Sequence, residues 1–272
     1  MLARAGPVNN WPAGAGKAKP SPMTRHRTIR PHGAAGEGKE SPALIYGWHS
    51  AVAALQNPRR HIQKVMATRN ALQRLSELGI ANLPQAADPR EIDRLVGHDA
   101  VHQGIAVVAD RLPEHKLEDL AAAKLVVVLD QVTDPHNVGA VLRSAAAFNA
   151  DAVVLTERHG PPETGVLAKA ASGGLEHVPL VRVTNLARAM DQLGEMGFLR
   201  LGLDSAHAEV LETIDPGGKV AIALGAESKG LRRLTREKCD HLVRIDAPGP
   251  IASLNVSNAA ALTLYVLSRR LR

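Results

Sequence analysis

Between residues 125 and 245 the chain repeats one pattern, a short unbroken run of apolar residues followed by a polar loop or a helical stretch. The runs are "LVVVLD", "DAVVL", "VPLVRV", "FLRLGLD", "KVAIALG" and "HLVRI". A strand with one wet face alternates apolar and polar residues, whereas these runs carry apolar side chains toward both faces. They therefore predict an α/β domain in which a parallel sheet is covered by helices above and below. Upstream, over 42–109, shorter strand candidates ("HIQKVMA", "GIAVVAD") mix with helical patterns ("SAVAALQN", "NALQRLSELG", "PREIDRLVG") and predict a second, smaller α/β domain. Between the two, residues 110–124, "DRLPEHKLEDLAAAK", are polar, contain a proline and read as a linker. At 272 residues and 45% hydrophobic, the chain has apolar material for two cores, and it shows no internal repeat at solenoid periods.

Charge and composition narrow the functional classes. Of the net charge of +6, residues 1–40 supply five, with seven Lys or Arg against Glu37 and Glu40. This Gly-, Pro- and Ala-rich segment, 1–41, is expected to be a disordered basic tail, either a plain solvated extension or a source of nonspecific attraction to a polyanion. Only six aromatic residues are present, too few for platforms that stack single-stranded bases. An RNA partner would have to be recognised by shape and phosphates. No apolar run approaches the roughly 20 residues of a membrane span, and no apolar block marks the N-terminus, so a cytoplasmic protein is expected. The single cysteine, Cys239, excludes an internal disulfide and a CxxC zinc site. The histidines show no ligand spacing, so no metal is expected.

In parallel α/β sheets ligands bind beyond the carboxyl ends of the strands, so the loops after the runs are where chemistry is sought. Three stand out: "LDQVTDPHNVGAVLRSAAAF", "ALGAESKGLRR" and "PGPIASLNVSNAAALTL". Each has a structural reading, with Asn137, Ser253 or Asn255 as helix caps and Gly225 and Gly230 as turn residues. Together they bring a carboxylate, Glu227, and a guanidinium, Arg143, to neighbouring strand ends, more than capping requires. Asn137 and Arg143 are six residues apart and share no helical stripe; they converge only if Asn137 precedes the helix. Arg269, Arg270 and Arg272 complement the negative end of the final helix. Neither GxGxxG after the first run nor GxxxxGK[ST] is present, which disfavours an ordinary dinucleotide fold or a phosphate loop.

"DPHNVGAVLRSA", "LGAESKGL" and "PGPIASLNVSNAAAL" resemble, in order and separation, the three motifs of the SpoU (TrmH-like) RNA ribose 2′-O-methyltransferases of the SPOUT superfamily. The resemblance runs through "KAASGGLEHVPLVRVTNLARAM" and covers 42–272, departing where Gly174 stands in place of an expected Ala. "YGWHSAVAAL" and "HDAVHQGIAVVA" are similar to the N-terminal domain, of ribosomal protein L30e-like fold, in the branch that methylates guanosine in 23S ribosomal RNA.

The resemblance implies a methyltransferase domain at 125–272 tied in a deep trefoil knot, an RNA substrate-binding domain at 42–109, S-adenosyl-L-methionine as cofactor and a homodimer. It implies catalytic roles for Asn137, Arg143, Glu227, Ser253 and Asn255. Cofactor contacts are implied at Leu203, Leu224, Gly225, Glu227, Gly230, Ile245, Leu254 and Asn255. The resemblance also implies a role as base for Arg143, but a guanidinium is effectively never deprotonated, so a phosphate clamp that also stabilises a developing alkoxide is the better expectation. Glu227 would then hold Asn137, and Ser253 and Asn255 would hydrogen-bond to substrate or loop. Two rivals are a transfer-RNA methyltransferase of the family, disfavoured by the extra N-terminal domain, and a non-catalytic ribosome assembly factor, disfavoured because all five catalytic positions are filled.

Overall fold

The structure, a computed structural model, describes residues 41–227, 229–250 and 253–271; the basic tail up to residue 40 and Arg272 lie outside the described residues. The chain begins with strand β1 (Ala43–Tyr46), helix α1 (Trp48–Gln56), β2 (Ile62–Ala67), α2 (Arg69–Glu77), α3 (Pro89–Val96) and β3 (Ile105–Ala109). These strands form a three-stranded antiparallel sheet in the order β1-β3-β2. Helix α3 starts where the sequence dictates: Asp88 and Glu91 form a capping box around Pro89, filling donors that the first turn leaves open.

The second unit follows with β4 (Leu125–Asp130), α4 (Pro135–Ala147), β5 (Ala152–Thr156), α5 (Gly165–Ala171) and β6 (Leu180–Val183). It continues with α6 (Leu186–Glu195), β7 (Leu199–Leu203), β8 (Val220–Gly225), α7 (Arg233–Glu237), β9 (His241–Val243) and α8 (Val256–Arg270). The six strands are all parallel, in the order β6-β5-β4-β8-β7-β9. Every residue of β4 and β5 is buried, and the side chains alternate between two separate cores. Val127, Leu129, Val153 and Ile222 pack with α4 and α8, while Val126, Val128, Val154 and Ala221 pack with α6. This double coverage is why the runs are continuous.

The stretch read as a linker is more ordered than its composition suggests. Its second half forms a 3₁₀ turn, Leu117–Ala122, whose Leu117 and Leu120 are buried in the core beneath α6. Leucines three apart on such a turn lie on one side, which is enough to fasten a polar segment.

The small sheet unit packs on α5 and on the 3₁₀ turn Gly174–Glu176, with Ala168 joining its core and the Ser50 hydroxyl donating to the Ala168 carbonyl at 2.8 Å. A buried ion pair joins them. Arg60 Nη2 lies 2.6 Å from Glu176 Oε1, with side chains only 4% and 3% exposed. Asn57 donates to Glu176 Oε2 at 2.7 Å, and Arg60 donates to the Asp110 carbonyl at 2.9 Å. Gly174 has a packing reason here: a Cβ would sit 2.8 Å from the Leu142 carbonyl oxygen, so glycine lets this turn approach α4 beside Arg143.

Burial pushes the Cys239 thiol up to about 12, which disfavours the thiolate, the form a cysteine nucleophile needs. Among the described residues no helix is long and apolar enough to cross a membrane.

Candidate active site

Parallel pairing brings the carboxyl ends of β4 and β8 into register, with Asp130 opposite Gly225. Beyond β8 the chain folds back at once: Ala226 and Gly230 form an antiparallel bridge, and the Gly230 N–H donates to the Ala226 carbonyl at 2.8 Å. Gly230 has φ +62, and a Cβ on Gly225 would lie 2.0 Å from the Gly230 carbonyl carbon. Only glycine tolerates that approach. The reversal holds Glu227 at the end of the loop.

Glu227 meets both other motifs. Asn137 donates to Glu227 Oε1 at 3.1 Å, Asn255 donates to Asn137 Oδ1 at 3.1 Å, and Asn255 also donates to Glu227 Oε1. The Asn255 carbonyl oxygen accepts from the Ser257 N–H at 2.9 Å and from its hydroxyl at 2.5 Å, which makes Asn255 the cap of α8. One side chain thus caps the start of a helix with its oxygen and ties two loops together with its nitrogen. Ser257 belongs to the cap.

Asn137 does not precede its helix. Asp134 caps α4 by accepting from the His136 N–H at 2.9 Å, and Pro135 takes the first helical position, where its missing N–H costs nothing. Asn137 is then the third residue of α4, and Arg143 lies about 9 Å further along the axis and about 240° around it. The convergence of Asn137 and Arg143 that the sequence allowed does not occur within the chain. Arg143 is exposed and makes no hydrogen bond or ion pair among the described residues.

Next to the triangle opens a pocket of about 320 Å³. Leu203, Leu224, Gly225, Glu227, Gly230, Ile245, Ser253 and Leu254 all line it; Asn255 sits in the chain between two lining residues, Leu254 and Val256. Arg143 and Asn137 do not line it. Sequence reasoning missed Asp204 and Arg236, which face each other across the pocket wall. The Asp204 carboxylate approaches Arg236 Nη1 to 2.5 Å as a charge pair not aligned as a hydrogen bond, and it also accepts from the Ala206 N–H at 3.0 Å. The strand-end rule would have found Asp204, since it is the residue directly after β7.

The pocket predicts a sharp response to one methyl group. Gly225→Ala drives a Cβ into the backbone of the β8 loop, and relieving such an overlap costs on the order of 1–3 kcal/mol. We expect ligand affinity for the pocket to fall about tenfold or more, read by calorimetry, while far-UV circular dichroism stays unchanged.

The comparisons agree with this geometry. Residues 124–265 match the SpoU rRNA Methylase family, and residues 44–115 match the family of RNA 2′-O ribose methyltransferase substrate binding domains. A 23S rRNA (guanosine-2′-O-)-methyltransferase RlmB from Vibrio vulnificus is 38% identical over 241 residues, covering 85% of this chain and 98% of that protein. An uncharacterized tRNA/rRNA methyltransferase from Synechocystis is 34% identical over 251 residues, covering 86% of this chain; the chain spans only 64% of that protein. Among solved structures, the SpoU methyltransferase AviRb from Streptomyces viridochromogenes in complex with AdoMet superposes with a TM-score of 0.70. Its identity is 22%, with 85% of this chain and 90% of that one covered, a likeness of fold. The family match spans more than half of the chain and contains all three strand-end motifs, so the chain belongs to the SpoU rRNA methylase family.

Proposed function

We propose that the protein methylates a ribose 2′-hydroxyl, that of a guanosine in 23S ribosomal RNA or its large-subunit precursor, using S-adenosyl-L-methionine. The observation that carries this reading is the Asn137–Glu227–Asn255 triangle, built from all three motifs at the mouth of a pocket on the carboxyl edge of a parallel sheet. The relatives named as 23S guanosine-2′-O-methyltransferases support the choice of RNA. So does the match of residues 44–115 to a substrate-binding family; in this reading 42–109 holds the RNA, 110–124 connects, and 125–272 is the methyltransferase domain.

The residues present fit the cofactor. Leu224, Leu231, Ile245 and Leu254 offer an apolar wall for a purine, Gly225 and Gly230 bring backbone groups close, and Asp204 and Arg236 supply charge for the amino-acid end. When bound, adenosylmethionine supplies an electrophilic methyl group. The chain itself then has to hold the ribose oxygen in line and support the charge that develops there. The Ser253 hydroxyl lines the pocket and serves the substrate, while Glu227 and Asn255 hold the loops rigid. Arg143 clamps a phosphate beside the reacting ribose and stabilises the alkoxide, and the hydroxyl proton passes to a water or phosphate oxygen near that guanidinium.

Because Arg143 stands off the pocket of its own chain, the reading requires a homodimer in which each Arg143 serves the pocket of the other protomer. Helix α8 packs on α4 and exposes Leu262 and Tyr265, 46% and 48% accessible and three residues apart on one face, as an apolar patch for a second copy. The return of α8 onto α4 and β8, after β9 has paired outside β7, supports the trefoil knot expected of the family. In this reading the protein meets its ribosomal RNA substrate in the cytoplasm.

Ribose methylation mapped across ribosomal RNA from cells with and without the gene tests the proposal. One 23S guanosine should lose its 2′-O-methyl group. Loss at a transfer-RNA position instead, or purified protein that takes up no labelled adenosylmethionine, overturns it.

A further inference from the structure

A second cavity, of about 450 Å³, opens on the same carboxyl edge of the sheet, where β5 and β6 end and α7 begins. Its wall carries Arg158, His159, Arg232 and Arg233, with Thr184 and Asn185 between them, and no carboxylate lines it. Arg232 is pre-set for outward use. Its Nε donates to the wholly buried Asp130 at 2.6 Å and its backbone N–H to the same carboxylate at 2.9 Å. This fixes the stem and leaves the terminal guanidinium nitrogens without a hydrogen bond among the described residues. Arg158 and His159 are exposed and make no hydrogen bond or ion pair among the described residues. Arg233 pairs with Glu237 at 2.5 Å, but with side chains 76% and 51% exposed that pair is worth little and yields readily to a stronger anion.

The position matters as much as the charge. Leu231 lines the pocket beside Glu227 and Arg232 lines this second cavity, so adjacent residues of one loop border both. In the sheet, β5 and β6 lie two and three strands from β8, each spacing about 4.8 Å, so one extended polyanion along the edge reaches both sites. With six aromatic residues in the chain, grip on RNA has to come from phosphates, and forked guanidiniums with hydroxyl and amide donors are the groups that bind them. Leu234, 51% exposed at the rim, offers an apolar contact to a sugar or base.

We propose that this cavity is a phosphate-binding subsite for the substrate RNA, holding the backbone a short way along the strand from the methylated ribose. It rests on the reading of the protein as an RNA methyltransferase. The test compares the full-length protein with Arg158→Glu, Arg158→Lys and the double variant Arg158→Glu/Arg233→Glu. Binding to a 23S ribosomal RNA transcript is measured across a salt series, and adenosylmethionine binding and thermal unfolding alongside. We expect the double variant to bind RNA at least about tenfold more weakly and its log–log salt slope to shrink by about 1 for each arginine lost. The loss in methylation should fall mainly on KM, cofactor affinity and unfolding should stay at the parent values, and Arg158→Lys should keep most of the binding. A double variant that folds, binds cofactor, and shows parental RNA affinity and salt slope overturns the subsite while leaving the enzyme reading intact. Parent protein that binds cofactor but no RNA removes both.

Discussion

Replacing Glu176 by Ala is expected to cost about 3–5 kcal/mol, because it leaves the Arg60 guanidinium buried without its counter-charge. Both side chains are almost fully enclosed, and the carboxylate also accepts from Asn57, so the deletion strands two donors at once. The loss should appear first where the pair sits. Amide exchange should rise at the contact between the small sheet unit and α5, with the strands of the large sheet little affected. The double variant Arg60→Met/Glu176→Leu should recover most of the stability, since a well-packed apolar pair of similar volume is often as good as a buried ion pair. Urea unfolding of Arg60→Met, Glu176→Leu and their double variant gives the coupling energy. Single variants within 1 kcal/mol of the parent, or a double variant worse than either, would show that the pair does not hold the units together. RNA methylation should fall in Glu176→Ala more than cofactor binding does, because the pocket draws no residue from the small unit.

Arg143→Ala and Asn255→Ala should each lower methyl transfer by about 10²–10³-fold, the usual effect of removing one preorganised group around a developing charge. They should do so for different reasons. Asn255→Ala removes the link between Glu227 and Asn137 and the cap of α8, so about 1 kcal/mol of stability goes with it. Arg143→Ala touches nothing in its own chain, so stability and cofactor affinity should stay unchanged. If Arg143 serves the opposite protomer, mixing the two inactive variants repairs one site in each mixed dimer. After subunit exchange, activity should return to about a quarter of the parent level, half the dimers being mixed and each having one working site of two. No recovery despite demonstrated exchange would place Arg143 and Asn255 in the same chain's site and refute the shared one. Arg143→Lys should restore little, since an ammonium cannot grip a phosphate with two parallel bonds.

Much of the architecture was legible before any coordinates. The unbroken runs from Leu125 to Gly225 suited the strands of a covered parallel sheet, and the rule that ligands sit at strand ends pointed to Glu227 and the cap of the last helix. The residues lining the pocket from β8 and the final loop followed, because a glycine pair around a carboxylate right after a strand is a local signal. The β1 strand was missed, since four residues ending in Tyr46 carry too little periodicity to register. Asp204 and Arg236 were missed because they are 32 positions apart and only the pairing of β7 with β9 draws their loops together.

The amino-acid order alone decided the fold class and pointed to three strand-end loops, because burial, turn formation and capping are local demands that residue types answer directly. Only the tertiary structure decided that Asp134 caps α4, which turns Asn137 toward Glu227 and carries Arg143 to the far side. It alone also decided that Arg60 finds Glu176 and that four basic residues from two distant segments share one cavity. Those outcomes depend on which distant segments are packed against each other, and a linear pattern holds no distance between residues a hundred positions apart.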